Sequence, residues 1–280
     1  MPYKKKVKNI KCAEESQAIQ GFASMCADSW RQNWHERNGG NLTYRMKQEE
    51  AEQCKKYFKA GGWNEIGIRE ESLAGEFFIT TGSGKFFRNV ELDIAANAGI
   101  VEINEKGSEW RIVWGLENAK PTSEFPSHFM NQSARKKATD EKNRVIYHAH
   151  PVNIIAMTYI LPLTAKDFTL ALWRSATECP IVFPEGIGVV PWFAPGSMEI
   201  ALATSKVMEE FSAAVWAHHG CFCSGADFDE TFGLMHTIEK GAEIYMKVLS
   251  SHANVRQTIS DENLIATAKA YGLKLNEKFL

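Results

Sequence analysis

The stretch Val145-Ile146-Tyr147-His148-Ala149-His150-Pro151 has the pattern of an apolar strand that ends in two histidines. Residues i and i+2 of a strand project to the same face, so both imidazoles are expected to point the same way. Two neutral imidazoles that converge on one point suit Zn²⁺. A pair of hydrogen-bonded histidines at a strand end fits the pattern equally well. The motif therefore predicts a strand and leaves two interpretations of its histidines open.

A second histidine pair, His218-His219 followed by Gly220, offers one further metal ligand. Neighbouring residues of a strand face opposite sides, so only one of the two can join His148 and His150. The glycine lets the chain approach a metal closely, which slightly favours His219. Three histidines with an open fourth position are typical of catalytic zinc, whereas structural zinc sites are closed and usually contain cysteine. The cysteines of this chain lack zinc-finger spacing, which favours a catalytic site if a metal binds.

Helical and strand patterns follow one another along the chain without regular βαβ alternation. Apolar residues spaced three to four apart predict a helix from Ile19 past Trp34, ended by the glycines at 39 and 40. Ser197, Asp227 and Ser260 carry helix-start signals. We therefore predict a single α/β domain over residues 1–280, with a central, largely antiparallel sheet covered by helices. Strands are predicted at 42–45, 76–80, 101–103, 110–114 and 145–150, strand ends at 181–183 and 188–192, and a surface insertion or poorly packed helix at 47–71.

Charge and composition exclude several classes of protein. Lys plus Arg is 32 and Asp plus Glu is 34, so the net charge of −2 gives no electrostatic case for binding nucleic acid or an anionic membrane. No run approaches the roughly 18 apolar residues of a membrane span. The basic start, residues 1–6, is followed by no apolar stretch, so we do not expect it to be a secretory signal. The scattered cysteines favour the reducing cytoplasm.

Two glycine-rich segments could bind an anion. Segments 37–41 and 81–85 offer backbone N–H groups that can form anion-binding nests, and Thr122-Ser123 at a helix start would add donors. Each segment alone is more typical of an ordinary turn. Glu124 and Glu178, at helix starts, are by themselves typical of capping residues. The remaining solitary histidines are interpreted as structural, namely His35, His128, His236 and His252.

Together these segments resemble the class II aldolase/adducin family. The resemblance extends from about Gln20 to Ile265 and rests on segments 34–43, 80–89, 121–124, 148–150, 177–179, 183–184, 219–220 and 229–233. The His-Ala-His and His-Gly motifs and the glycine-rich segments mark the superfamily. The longer strings at 81–89 and 229–233 are similar to those of members that act on L-rhamnulose 1-phosphate.

The resemblance implies a zinc-dependent aldehyde-lyase that reversibly cleaves L-rhamnulose 1-phosphate to dihydroxyacetone phosphate and L-lactaldehyde. It implies that Glu124 is the catalytic acid/base. Glu178 would reach the substrate, a ketose 1-phosphate, from a neighbouring subunit of a homotetramer. The zinc ion of each subunit would be bound by His148, His150 and His219. The phosphate and hydroxyls would be surrounded by Asn38, Asn41, Ser83, Gly84, Thr122 and Ser123.

Two kinds of alternative remain at this point. Fuculose-phosphate aldolases, pentulose-phosphate epimerases and dehydratases of the same superfamily would share the zinc and phosphate groups. A non-catalytic, adducin-like interaction module would be expected to lack intact metal histidines. The presence of the three histidines together with Glu124 favours an enzyme.

Overall fold

The computed structural model describes residues 10–280. The basic start and the first nine residues of the predicted domain lie outside this range. The strands of the described chain are β1 (Asn41–Arg45), β2 (Asn64–Glu65), β3 (Phe77–Thr81), β4 (Ala98–Ile103), β5 (Glu109–Gly115), β6 (Val145–Ala149), β7 (Gly188–Val190), β8 (Ala213–Trp216) and β9 (Gly220–Gly225).

These strands form one sheet in the order β2-β5-β4-β3-β1-β6-β9-β8-β7. Every neighbouring pair is antiparallel except β7 and β8, which are parallel. The predicted fold class is thus confirmed. β1 lies at the centre of the sheet, and its register with β6 places Asn41 opposite His148. That pairing brings two predicted site residues to one end of neighbouring strands.

Helices cover the sheet and connect its strands. They are α1 (Gln17–Arg31), α2 (Gln48–Cys54), α3 (Phe87–Val90), α4 (Ile94–Asn97), α5 (Phe125–Ala138), α6 (Val152–Met157), α7 (Ala165–Trp173), α8 (Glu178–Val182), α9 (Met198–Val207), α10 (Phe228–Ser250) and α11 (Asp261–Tyr271). The predicted caps at Ser197, Asp227 and Ser260 are confirmed, since each side chain accepts a backbone N–H of the first turn. Within residues 10–280, no helix combines the length and apolar character that a membrane span needs.

Three local predictions differ from the structure. The first helix ends at Arg31, before the glycines, because Asn33 and Arg37 already adopt left-handed backbone with φ of 61° and 51°. Residues 181–183 belong mainly to α8 and not to a strand, because a short apolar run fits either element. Segment 47–71 is no detached insertion, because it supplies α2 and the edge strand β2 and buries Ala51, Cys54 and Ile66.

Candidate active site

Three histidines converge where β6 and β9 meet. His148 lies in β6, His150 follows the end of that strand, and His219 lies in the turn between β8 and β9. The pairing of Ala149 with Cys221 holds the two segments side by side. One nitrogen of each imidazole lies within 4.8 Å of the other two, and the ring centroids are 5.0 Å apart in every pair. Such a triad could hold a metal ion.

Hydrogen bonds fix the tautomers of the two β6 histidines. His148 Nδ1 donates to the Cys221 carbonyl at 3.2 Å, and His150 Nδ1 donates to Glu36 Oε1 at 2.7 Å. In the neutral tautomer that carries its proton on Nδ1, an imidazole has a lone pair on Nε2. The two Nε2 atoms of these rings face each other at 3.3 Å. Two nitrogens bound about 2.0–2.1 Å from a tetrahedral Zn²⁺ would lie about 3.3 Å apart. The separation of the nitrogens therefore fits zinc.

The third histidine is held in place by a tight turn. A Cβ at Gly220 would lie 2.4 Å from the Ala149 carbonyl oxygen and 2.9 Å from His150 Cδ2, so no side chain fits there. His219 Nδ1 is buried without a hydrogen-bond partner in the described chain. Burial, with His150 nearby, lowers the pKa of His219 to about 4. Burial and the neighbouring histidines also hold the pKa of His148 well below its ordinary value. Both rings are therefore neutral at pH 7, as metal ligation requires.

His218 does not belong to the triad. Its backbone is left-handed, with φ of 60°, and its N–H donates to Thr158 Oγ1 at 3.0 Å. Its Nδ1 lies 3.1 Å from the same hydroxyl, and its ring packs against Tyr159 with centroids 4.3 Å apart. The preference for His219 over His218 as the third ligand thus agrees with the geometry. The expected alternation of strand faces does not apply, however, because residues 217–219 form a turn and not a strand.

Glu124 is a half-buried carboxyl just before α5. Its Oε2 accepts a hydrogen bond from Asn41 Nδ2 at 3.0 Å. Burial raises the pKa of Glu124 above the ordinary value of a glutamate, while the hydrogen bond from Asn41 acts in the opposite direction. A carboxyl whose pKa is raised, near a triad that could hold a metal ion, is suited to proton transfer.

The second glycine-rich segment and the residues before Glu124 run side by side. Gly82 pairs with Pro121, and the Ser83 N–H donates to the Lys120 carbonyl at 2.9 Å. The structure thus brings Ser83, Gly84, Thr122 and Ser123 together, with the two serines and the glycine exposed. Gly84 has the positive φ, 69°, that an anion-binding nest uses. Thr122 is buried, and its hydroxyl accepts the Glu124 N–H at 3.3 Å.

The two predicted asparagines occupy different environments. Asn38 is exposed, and it lies on the same loop as Glu36. In that loop, Gly39 packs against the His150 ring. Asn41 is buried, and its amide lies between Glu124 and His128. The amide thus uses one of its two N–H groups and one acceptor lone pair inside the protein, and its predicted contact with substrate stays a prediction.

Glu178 is not part of this cluster within one chain. It is exposed at the start of α8, and no hydrogen bond joins it to the triad anywhere in residues 10–280. Its predicted role across a subunit boundary stays a prediction.

Two residues that support the site were not predicted from the sequence. The Glu36 carboxylate orients His150, as described above. His35 is buried, donates from Nδ1 to the Gly39 carbonyl at 2.9 Å and accepts the Tyr147 hydroxyl at Nε2 at 2.8 Å. Its ring stacks on Phe87 with centroids 3.6 Å apart. The sequence signals for these residues are their place in segment 34–43, which carries the family resemblance, and their position just before the glycine-rich segment 37–41.

Comparison with known proteins agrees with this arrangement. Residues 20–246 match the family model described as Class II Aldolase and Adducin N-terminal domain. The chain belongs to the class II aldolase/adducin family.

Among individual proteins, the chain is 46% identical over 258 residues to the rhamnulose-1-phosphate aldolase of Klebsiella pneumoniae subsp. pneumoniae, covering 91% of this chain and 93% of the relative. It is 46% identical over 261 residues to the protein of the same name from Escherichia coli strain K12, covering 92% and 95%. Among solved structures, a sugar-phosphate aldolase from Thermotoga maritima is similar with a TM-score of 0.73 at 27% identity, covering 85% of this chain and 97% of that chain.

Proposed function

We propose that this chain is a metal-dependent aldolase that reversibly cleaves L-rhamnulose 1-phosphate to dihydroxyacetone phosphate and L-lactaldehyde. One observation carries the proposal. The histidine triad lies near the half-buried carboxyl of Glu124, in a chain that is 46% identical, along nine-tenths of its length, to proteins named for this substrate.

Zn²⁺ is the proposed ion, with one bound in each subunit by His148, His150 and His219. Three neutral imidazoles with an open fourth position suit catalytic zinc, and the fixed tautomers of the β6 histidines support this choice. When bound, the ion supplies Lewis-acid stabilisation for the negative charge that cleavage leaves on substrate oxygens.

Glu124 is the proposed proton carrier. In the synthetic direction its carboxylate takes a proton from a carbon of dihydroxyacetone phosphate, and in the cleavage direction the carboxylic acid returns that proton. The Asn41 amide holds one carboxylate oxygen at 3.0 Å and thereby limits rotation of the side chain. The raised pKa of Glu124 suits a group that both accepts and donates a proton near neutral pH.

The glycine-rich segments are the proposed phosphate site. Ser83, Gly84 and Ser123 offer exposed hydroxyl and backbone groups on adjacent segments, and Asn38 lies on the loop against His150. Contacts to a phosphate remote from the reacting bond would fix the orientation of the ketose. Thr122 completes the segment, with its side chain buried beneath it.

A homotetramer in the cytoplasm is the proposed setting. Glu178 is exposed away from the triad of its own chain, which leaves it free to reach the site of a neighbouring subunit. All six cysteines are unpaired, which suits a reducing compartment.

The test compares ketose 1-phosphates with and without added zinc. We expect cleavage of L-rhamnulose 1-phosphate to exceed that of L-fuculose 1-phosphate, and a chelator to abolish it. The protein should also exchange a carbon-bound hydrogen of dihydroxyacetone phosphate with deuterated water in the absence of aldehyde, and Glu124→Gln should abolish exchange while zinc remains bound. Preference for L-fuculose 1-phosphate, or exchange at the wild-type rate in Glu124→Gln, would contradict the proposal.

A further inference from the structure

A buried histidine on α5 lies directly behind the acid/base carboxyl. His128 is fully buried and uses both ring nitrogens. Its Nε2 is hydrogen-bonded to Asn41 Oδ1, and its Nδ1 lies 3.0 Å from the Thr43 hydroxyl. Burial lowers the pKa of His128 to about 3, so the ring is neutral at pH 7. A neutral ring can donate from only one of its nitrogens.

The partners determine the direction of every hydrogen bond in this chain of residues. The amide oxygen of Asn41 can only accept, so His128 Nε2 carries the proton. Nδ1 must then accept, and the Thr43 hydroxyl donates to it. The same hydroxyl accepts a hydrogen bond from Gln132 Nε2 at 3.2 Å, one helical turn beyond His128. Each hydrogen bond in the series thus joins a donor on one side chain to an acceptor on the next.

The series ends at the carboxyl of Glu124. With its oxygen held by His128, the Asn41 amide must present its N–H₂ group to Glu124 Oε2. Within residues 10–280 this is the only hydrogen bond made by the Glu124 side chain. A flipped amide would place an oxygen against the carboxylate oxygen, which is repulsive. The orientation of the carboxyl therefore depends on a residue that it does not touch.

We propose that His128 is a positioning residue, which fixes the Asn41 amide and through it the Glu124 carboxyl that moves the proton. The effect of His128 on catalysis rests on the proposed function of Glu124, whereas the effect of His128 on the Asn41 amide does not. Misplacement of a proton-transfer group by about 1 Å can reduce the rate by about 100-fold. Substrate binding through the separate glycine-rich segments should be little affected.

Two pairs of variants test the proposal. His128→Phe keeps an aromatic ring and removes both hydrogen bonds, whereas His128→Gln retains one donor and one acceptor. Thr43→Val removes the hydroxyl one step further from Glu124, whereas Thr43→Ser keeps it. Phe129→Leu, a core change next to His128 on α5, controls for a loss of stability without loss of the hydrogen bonds. The measurements are kcat and KM for cleavage, hydrogen exchange of dihydroxyacetone phosphate, bound zinc, and the NMR signals of the Asn41 side-chain amide.

We expect His128→Phe to lower kcat and the exchange rate by up to about 100-fold with KM and zinc content within about twofold of the wild type. His128→Gln and Thr43→Ser should recover most of the rate, and Thr43→Val should lie between. A parallel rise in KM, no recovery in His128→Gln, or an equal rate loss in Phe129→Leu would overturn the positioning role.

The amide signals separate this proposal from the proposed function. If the wild-type protein cleaves no ketose 1-phosphate, the proposed function fails, and the Asn41 signals alone decide the role of His128. A large chemical-shift change of the Asn41 amide in His128→Phe, with little change in Phe129→Leu, supports the role. Unchanged Asn41 signals in His128→Phe overturn it.

Discussion

Two adjacent histidines in the turn before β9 have different environments, and this difference predicts different effects on metal binding. His219 joins the triad, whereas His218 contacts Thr158 and Tyr159. His219→Ala should lose most bound zinc, because two imidazoles hold the ion less tightly than three. His218→Ala should retain it. Zinc content by mass spectrometry or atomic absorption checks both variants, and full retention in His219→Ala would show that the third ligand is another residue.

The carboxylate of Glu36 should contribute to metal affinity without touching the ion. It accepts the Nδ1 proton of His150 at 2.7 Å and so orients that ring and increases its basicity. Glu36→Ala should weaken zinc binding roughly 10- to 100-fold. Glu36→Gln, which keeps a neutral acceptor, should have a smaller effect. Competition with a zinc chelator gives the dissociation constant of zinc for each variant and for the wild type.

Arg37→Ala is the matched control for Glu36, since Arg37 is exposed on the same loop and has no role in the triad. Equal weakening in both variants would mean that the loop as a whole, and not the carboxylate, supports zinc binding.

At the level of elements, α10 anchors α6, the helix that follows β6 and the two histidines His148 and His150. Glu239 of α10 accepts the backbone N–H of Asn153 through Oε1 and that of Ile154 through Oε2, both at 3.0 Å. N–H groups in the first turn of a helix have no acceptor within the helix, so Glu239, a residue distant in sequence, caps α6. The contact fixes the chain just beyond His150 and Pro151.

Glu239→Gln should destabilise the protein, because one amide oxygen cannot replace two carboxylate oxygens. Leaving a buried N–H without a partner costs about 1–3 kcal/mol. Glu243→Gln on the same helix is the control, since Glu243 forms surface ion pairs with Lys240 and Lys247, which contribute little to stability. Urea unfolding followed by circular dichroism measures both, and equal destabilisation would contradict the capping role.

The helices and strands also show which parts of the fold can be predicted from local sequence patterns. The strand that contains His148 and the helix caps at Ser197, Asp227 and Ser260 were predictable because their signals are local. The helical conformation of residues 181–182 was not, since a short apolar run fits either element. The triad followed from two short motifs, whereas Asn41 and His128 lie 87 positions apart and meet only through the packing of α5 on β1. No spacing along the chain encodes such a contact.

For the whole molecule, buried neutral histidines should make stability depend on pH. Burial lowers the pKa of both His35 and His128 to about 3. In the unfolded chain their pKa is near the ordinary value of about 6.5. As the pH falls below that value, the unfolded state binds protons and the folded state does not, so stability is lost between about pH 6.5 and 3. Each such histidine should lower the free energy of unfolding by roughly 2 kcal/mol between pH 7 and pH 5.

His35→Gln should therefore make the free energy of unfolding less dependent on pH, even if it lowers stability at pH 7 through the loss of contacts to Gly39 and Tyr147. Urea midpoints at pH 7, 6 and 5, measured with zinc removed from all samples, give that dependence. His252→Gln replaces an exposed histidine and should leave the pH dependence as in the wild type. The same slope in His35→Gln and wild type would mean that the buried ring of His35 takes up a proton in the folded protein.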